Sequence, residues 1–161
     1  MRFGGNDGVG GFMEELPALL VVLVAISVFV AGVASAYAGY VERSESLARR
    51  DRCQAFVQQA LSEPSLLHDS RQGLFDWGKV SVLSNSDFTA RFPTERAGFN
   101  YSIELRAIGN STDSLLHARF GFDAPSGAAQ KVAIDAPCNI LTPEGRVEPA
   151  IMGLVAWGFA P

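Results

Sequence analysis

The pattern of apolar and polar positions along this chain changes twice, and each regime predicts a different element. From Leu16 to Val41 nothing alternates: 26 consecutive residues carry no charge. At about 1.5 Å per residue a helix over that run extends about 39 Å, enough to cross a hydrocarbon core of roughly 30 Å with some tilt or overhang. Beyond Val41 the pattern turns amphipathic. Glu42, Arg43, Glu45, Arg49, Arg50, Asp51 and Arg52 crowd its first part, while Cys53, Phe56/Val57 and Ala60/Leu61 recur at the spacing of one helical face. No Gly or Pro interrupts until Pro64. The two segments together predict one helix of about 50 residues, from near Met13 to near Glu63, apolar all round at first and striped afterwards.

After the turn-rich connection "HDSRQGLFDWGK" the period falls to two. In "FNYSIELRAI", 99–108, Phe99, Tyr101, Ile103, Leu105 and Ala107 alternate with Asn100, Ser102, Glu104 and Arg106, a strand with one buried face. Further strands are expected at "KVSVL", 79–83, at 115–123, at "QKVAID", 130–135, and at 146–159. The intervening "GNSTDS", "DAPSGAAQ" and "TPEGR" have turn chemistry. A helix stripe laid on one face of an antiparallel sheet is an α+β domain. The organisation expected is a short leader at 1–11, a hydrophobic transmembrane or assembly helix at 12–41, and an α+β domain at 42–161, close to the common size of a single domain.

A secretory signal peptide fits poorly. Such a segment has a basic start and an apolar stretch of about 7 to 15 residues before small residues at the cleavage site. Here Arg2 is the only base before the run, and Ala34-Ser35-Ala36 lies near the end of a stretch that is too long.

Composition sharpens this picture in two places. Hydrophobic residues make up 48% of the chain and charged ones 19%, and the run from Leu16 to Val41 accounts for much of the apolar excess, so the remainder reads as an ordinary water-facing domain. The net charge is −4 and no basic stripe is present, which excludes a nucleic-acid partner. Cys53 and Cys138 are the only cysteines. Outside a reducing compartment a disulfide between them would fasten helix to sheet, closing a loop of about 85 residues and stabilising by roughly 4 kcal/mol. Two buried free thiols are the alternative. His68, next to Asp69, and His117 are the only histidines, and neither belongs to a recognisable catalytic or metal-binding pattern. No catalytic, cofactor-binding or metal-ligating residue is therefore assigned. Trp77 and Trp157 are expected in or beside the core, with a subunit contact through Trp157 and Phe159 as the other reading.

The start of the chain carries a resemblance. "GVGG" followed by "FMEE" and an apolar helix resembles the leader and stem of type IV pilin-like proteins, in which a leader is cut after Gly and a Glu occupies the fifth mature position. Cutting after Gly10 makes Glu15 fifth; cutting after Gly11 puts Phe12 first and Glu15 fourth. The basic residues that usually flank such a site are replaced by Val9 and glycine. "EELPALL" also resembles tight-adherence pseudopilins and small archaeal pilin-like membrane proteins. The resemblance implies a pilin-like fold and a cell-surface filament. It also implies self-association or pairing with other pilins, membrane insertion, and processing by a prepilin peptidase. It assigns assembly roles to Phe12, Glu14 and Glu15. The same acids read without it as helix-start residues beside the dipole, with Pro17 in the first turn. In either case a monomeric membrane-anchored binding module is the rival function.

Orientation draws on opposing signals. Arg43, Arg49, Arg50 and Arg52 follow the apolar run and only Arg2 precedes it, which by the positive-inside rule favours a cytoplasmic domain. Asn100-Tyr101-Ser102 and Asn110-Ser111-Thr112 are acceptor sequons for N-glycosylation, and with the resemblance they favour an external domain, on the membrane or on an extracellular filament.

Overall fold

A computed structural model describes residues 7–108, 116–127 and 130–159, with side chains from Leu16 onward. The first element is a single helix, α1, Asp7–Leu61. Strand β1, Leu74–Asp76, is followed by three short helices, α2 at Trp77–Val82, α3 at Asn85–Arg91 and α4 at Thr94–Ala97. Strands β2, Asn100–Ala107, β3, His117–Gly121, β4, Val132–Leu141, and β5, Val147–Trp157, complete the chain. It divides into two compact units, Met1–Ser46 and Leu47–Pro161.

The second unit is the α+β domain that the periodicities predict. Its sheet has the order β1-β4-β5-β2-β3. All pairings are antiparallel except that of β1, which joins β4 in parallel through Leu74–Asn139 and Phe75–Ile140. One sheet face is buried under the last turns of α1, where Cys53, Phe56, Val57, Ala60 and Leu61 point inward and Gln54, Gln58 and Gln59 stay exposed. Phe56 is the ring hub, with centroids 5.6 Å from Phe92, 5.4 Å from Phe99 and 4.7 Å from Tyr101. Tyr101 is fully buried because its hydroxyl donates to the Phe92 carbonyl, which removes the cost of burying that group.

Several boundaries differ from the expected ones, each for a physical reason. "KVSVL" is not a strand. Its first four residues close helix α2, whose N-cap Asp76 accepts from the Gly78 N–H at 2.9 Å and whose Lys79 ammonium donates to the Leu67 carbonyl at 2.6 Å. The β-propensity of its two valines yields to this local capping. Helix α3 is announced by Ser84 and Asp87 three residues later: the Ser84 hydroxyl accepts from the Asp87 N–H at 3.1 Å and donates to its carboxylate at 2.7 Å. Strand β4 runs six residues past Asp135, through Pro137. The Asn139 N–H points toward β1 and donates to Gly73, so the nitrogen of Pro137, two residues earlier, faces the same side beyond the end of β1, where no donor is needed. Helix α1 begins at Asp7 rather than near Met13, so Pro17 stands in its interior, not in its first turn.

Edge strand β3 is closed by a side chain. The Asn85 carboxamide accepts from the Gly121 N–H at 2.6 Å and donates to the Gly121 carbonyl at 3.0 Å, standing in for one residue of a neighbouring strand. Gly121 itself has φ +94, and a side chain there would strike the Tyr101 carbonyl.

Candidate functional site: the apolar stem and the open sheet face

The stem is the part of α1 from Leu16 to Val41. It is the one helical stretch among the described residues long and apolar enough to cross a membrane by length and composition. None of its most apolar window is covered, and its large side chains, from Leu19 and Leu20 to Tyr37 and Tyr40, are all more than half exposed. Ser27, the first hydroxyl in the run, donates to the Leu23 carbonyl at 2.8 Å, so it demands no outside partner in an apolar setting. Gly10, Gly11, Phe12, Glu14 and Glu15 all lie within α1, and their side chains are outside the described residues. With the helix starting at Asp7, both glutamates follow its first turn, where the favourable end of the helix dipole has faded.

The disulfide expectation is corrected. Cys53 and Cys138 are free thiols, both buried. The direction of α1 over the sheet explains why. Phe56 packs on Tyr101, which pairs with Ala156 near the end of β5, whereas Ala60 faces Met152, which pairs with Ala136. The helix thus advances toward Cys138 only after Cys53 has been left behind, and the two sulfurs are not within bonding distance. Burial pushes each thiol up to about 11 from an ordinary 9.0, with a backbone hydrogen bond from Met152 partly opposing it at Cys138.

The other sheet face mixes polar and apolar groups, with exposed Ala133, Asp135 and Pro137 on β4 and half-buried Glu104, Gly153 and Val155 on its neighbours. Glu104 of β2, Gly153 of β5 and Asp135 of β4 stand in one row across three strands. The missing side chain at Gly153 leaves a depression of about 160 Å³ between the two carboxylates, bordered by Ser102 and Arg106. Asp135 leans over the glycine, with Oδ1 3.0 Å from where a Cβ would stand. Glu104 is engaged by His117 Nε2 at 2.9 Å, and Arg119 donates to Ser102 at 3.1 Å while holding Asp123 at 2.7 Å. Such a trough can accept a small cationic or dipolar group by charge.

His68 is flanked by Asp69 at 3.2 Å and Asp76 at 3.5 Å, away from the trough row. Among the described residues no three His, Cys, Asp or Glu side chains gather to hold a metal ion. Trp157 is buried but lies outside the main core cluster, whereas Phe159 packs on Phe99 at 5.3 Å against that core. Trp77 is half-buried against it. Of the two sequons, Asn100 is the exposed first residue of β2, and Asn110 lies outside the described residues. Periodicity along the chain is enough to mark the stem but not the trough, because strand pairing alone brings Glu104, Gly153 and Asp135 together. The chain matches no protein-family model, and no curated protein or solved structure is significantly similar to it.

Proposed function

We propose that this chain is a pilin-like structural subunit, inserted in the membrane by its stem and polymerised through it into a cell-surface filament, with residues 42–161 outside the cell. The observation that carries the reading is the uncharged run from Leu16 to Val41, exposed from Leu16 to Tyr40, which continues without a helix break into the stripe that builds a domain core. An apolar surface of that extent is stable only in lipid or against other apolar helices. Processing belongs to the same reading. Cleavage after Gly10 would make Glu15 the fifth residue, close to the new helix start, where its carboxylate can pair with a new amino terminus. The role is structural, with the stem as the working surface and a prepilin peptidase, the membrane and further copies as partners.

N-terminal sequencing of the mature protein from its native membrane tests this. A start at Gly11 or Phe12 together with lipid-free filaments in electron micrographs is the expected result. A retained Met1 on a dispersed, membrane-bound monomer would refute it. The second reading, a monomeric anchored binding module, is favoured by the trough around Gly153, since a subunit with only scaffolding duties has no need of a polar depression there.

A further inference from the structure

The sheet closes two of its edges and leaves a third open. Strand β3 is capped by the Asn85 carboxamide. Strand β1 is flanked by the segment before it, where the His68 N–H donates to the Leu74 carbonyl and the Asp76 N–H to the Leu66 carbonyl, each at 2.9 Å. Strand β4 is different. Its partner β1 reaches only residues 139–141, so residues 132–138 have β5 on one side and, among the described residues, no strand on the other.

Alternation fixes which groups that edge presents. The Asn139 N–H donates toward β1, to Gly73, and the Ile108 N–H donates to Pro149, so odd-numbered residues of β5 bond toward β2 and even-numbered ones toward β4. Odd-numbered residues of β4 therefore turn their N–H and C=O groups away from β5. Ala133 and Asp135 present both groups at the open edge, and Pro137, which has no N–H, ends the row just before β1 takes over.

Side chains of the same set supply charge. Lys131 and Asp135 are exposed, lie two residues to either side of Ala133, and have no ionic partner among the described residues. They stand about 13 Å apart along their own strand, too far to pair with each other. Charges on an edge ordinarily keep other strands away. The spacing here does the reverse for one partner.

We infer that the open edge of β4 pairs antiparallel with the same edge of a second copy, about a two-fold axis at Ala133. In that register Ala133 faces Ala133 and exchanges two hydrogen bonds with it, while Asp135 of each copy faces Lys131 of the other. No neighbouring register sets both lysines opposite carboxylates, so charge selects this one. The four-carbon stem of Lys131 is long enough to meet the Asp135 carboxylate where it leans over Gly153. The axis stands normal to the sheet and reverses the direction of the last turns of α1 over it. The partner is thus a copy arriving from the opposite direction, as on a facing membrane or filament. The contact uses no stem residue and stands apart from the filament reading.

The full chain in detergent micelles tests it, since micelles leave every direction of approach open. Ala133→Cys should yield a disulfide-linked dimer on mild oxidation, and the native thiols, being buried, supply the blank. In that background Lys131→Asp sets carboxylate against carboxylate and Asp135→Lys sets ammonium against ammonium, so each alone should lower the dimer yield about tenfold. Mixing the two variants restores opposite charges at both positions, and the mixed dimer should return. Urea midpoints equal to the parent's show that each variant is folded. Association through the stem is the same in every variant and cannot imitate this charge pattern. Dimer yields indifferent to the charges, or a mixture that stays monomeric, would overturn the edge contact and leave the filament reading untouched.

Discussion

Replacing Phe56 by alanine should remove much of the stability of the domain while leaving the stem untouched. Phe56 is 7% exposed and meets three aromatic rings within 5.6 Å of its own centroid, two of them edge-on. Truncating a buried Phe costs about 3 to 5 kcal/mol, and aromatic pairs add about 0.5 to 1.5 kcal/mol beyond their area, which places this site near the upper end. A loss of about 4 kcal/mol is large against the roughly 5 to 15 kcal/mol that holds a typical domain folded. With a urea dependence of about 2 kcal/mol per molar, the midpoint should fall by roughly 2 M. The measurement is a urea titration of the full chain in detergent micelles, followed by the fluorescence of buried Trp157. Gln58→Ala, close by on the exposed side of the helix, serves as the control and should stay within about 0.5 kcal/mol. A midpoint shift for Phe56→Ala no larger than the control's, with an unchanged slope, would show that the last turns of α1 are not the packing partner of the sheet.

Asn85→Ala strips Gly121 of both edge hydrogen bonds and should cost about 1 to 3 kcal/mol; it should also raise concentration-dependent association of the domain through β3, read by light scattering in detergent, and an unchanged scattering profile would count against the edge-closing role. The buried thiols give a pH dependence whose sign follows from their raised values. Below pH 9 folded and unfolded chains both keep them protonated, whereas between pH 9 and 11 only the unfolded chain ionises, so stability falls across that window. The urea midpoint should therefore drop between pH 8 and 10.5 more steeply in the wild type than in a Cys53→Ala, Cys138→Ala variant, and parallel curves would refute the assignment. Mass spectrometry after alkylation under air should find both thiols labelled only once the protein is unfolded, because the pair forms no disulfide.

What the order of residues determined by itself was whatever depends on neighbours along the chain. The uncharged run, the stripe of Cys53, Phe56/Val57 and Ala60/Leu61, and the alternation from Phe99 to Ala107 each state a period, and a period dictates which face is buried. The α+β class and the long helix followed from those three. Short segments escaped this logic, since "KVSVL" is too brief for its period to outweigh a cap at Asp76, and Leu74–Asp76 has no identity as a strand until β4 lies beside it. Only the tertiary structure decided the relations between distant segments. The direction of α1 across the sheet separates Cys53 from Cys138, and the register of β2, β5 and β4 sets Gly153 between two carboxylates. Both depend on loop closure and strand pairing across tens of residues, where spacing in the sequence carries no distance information.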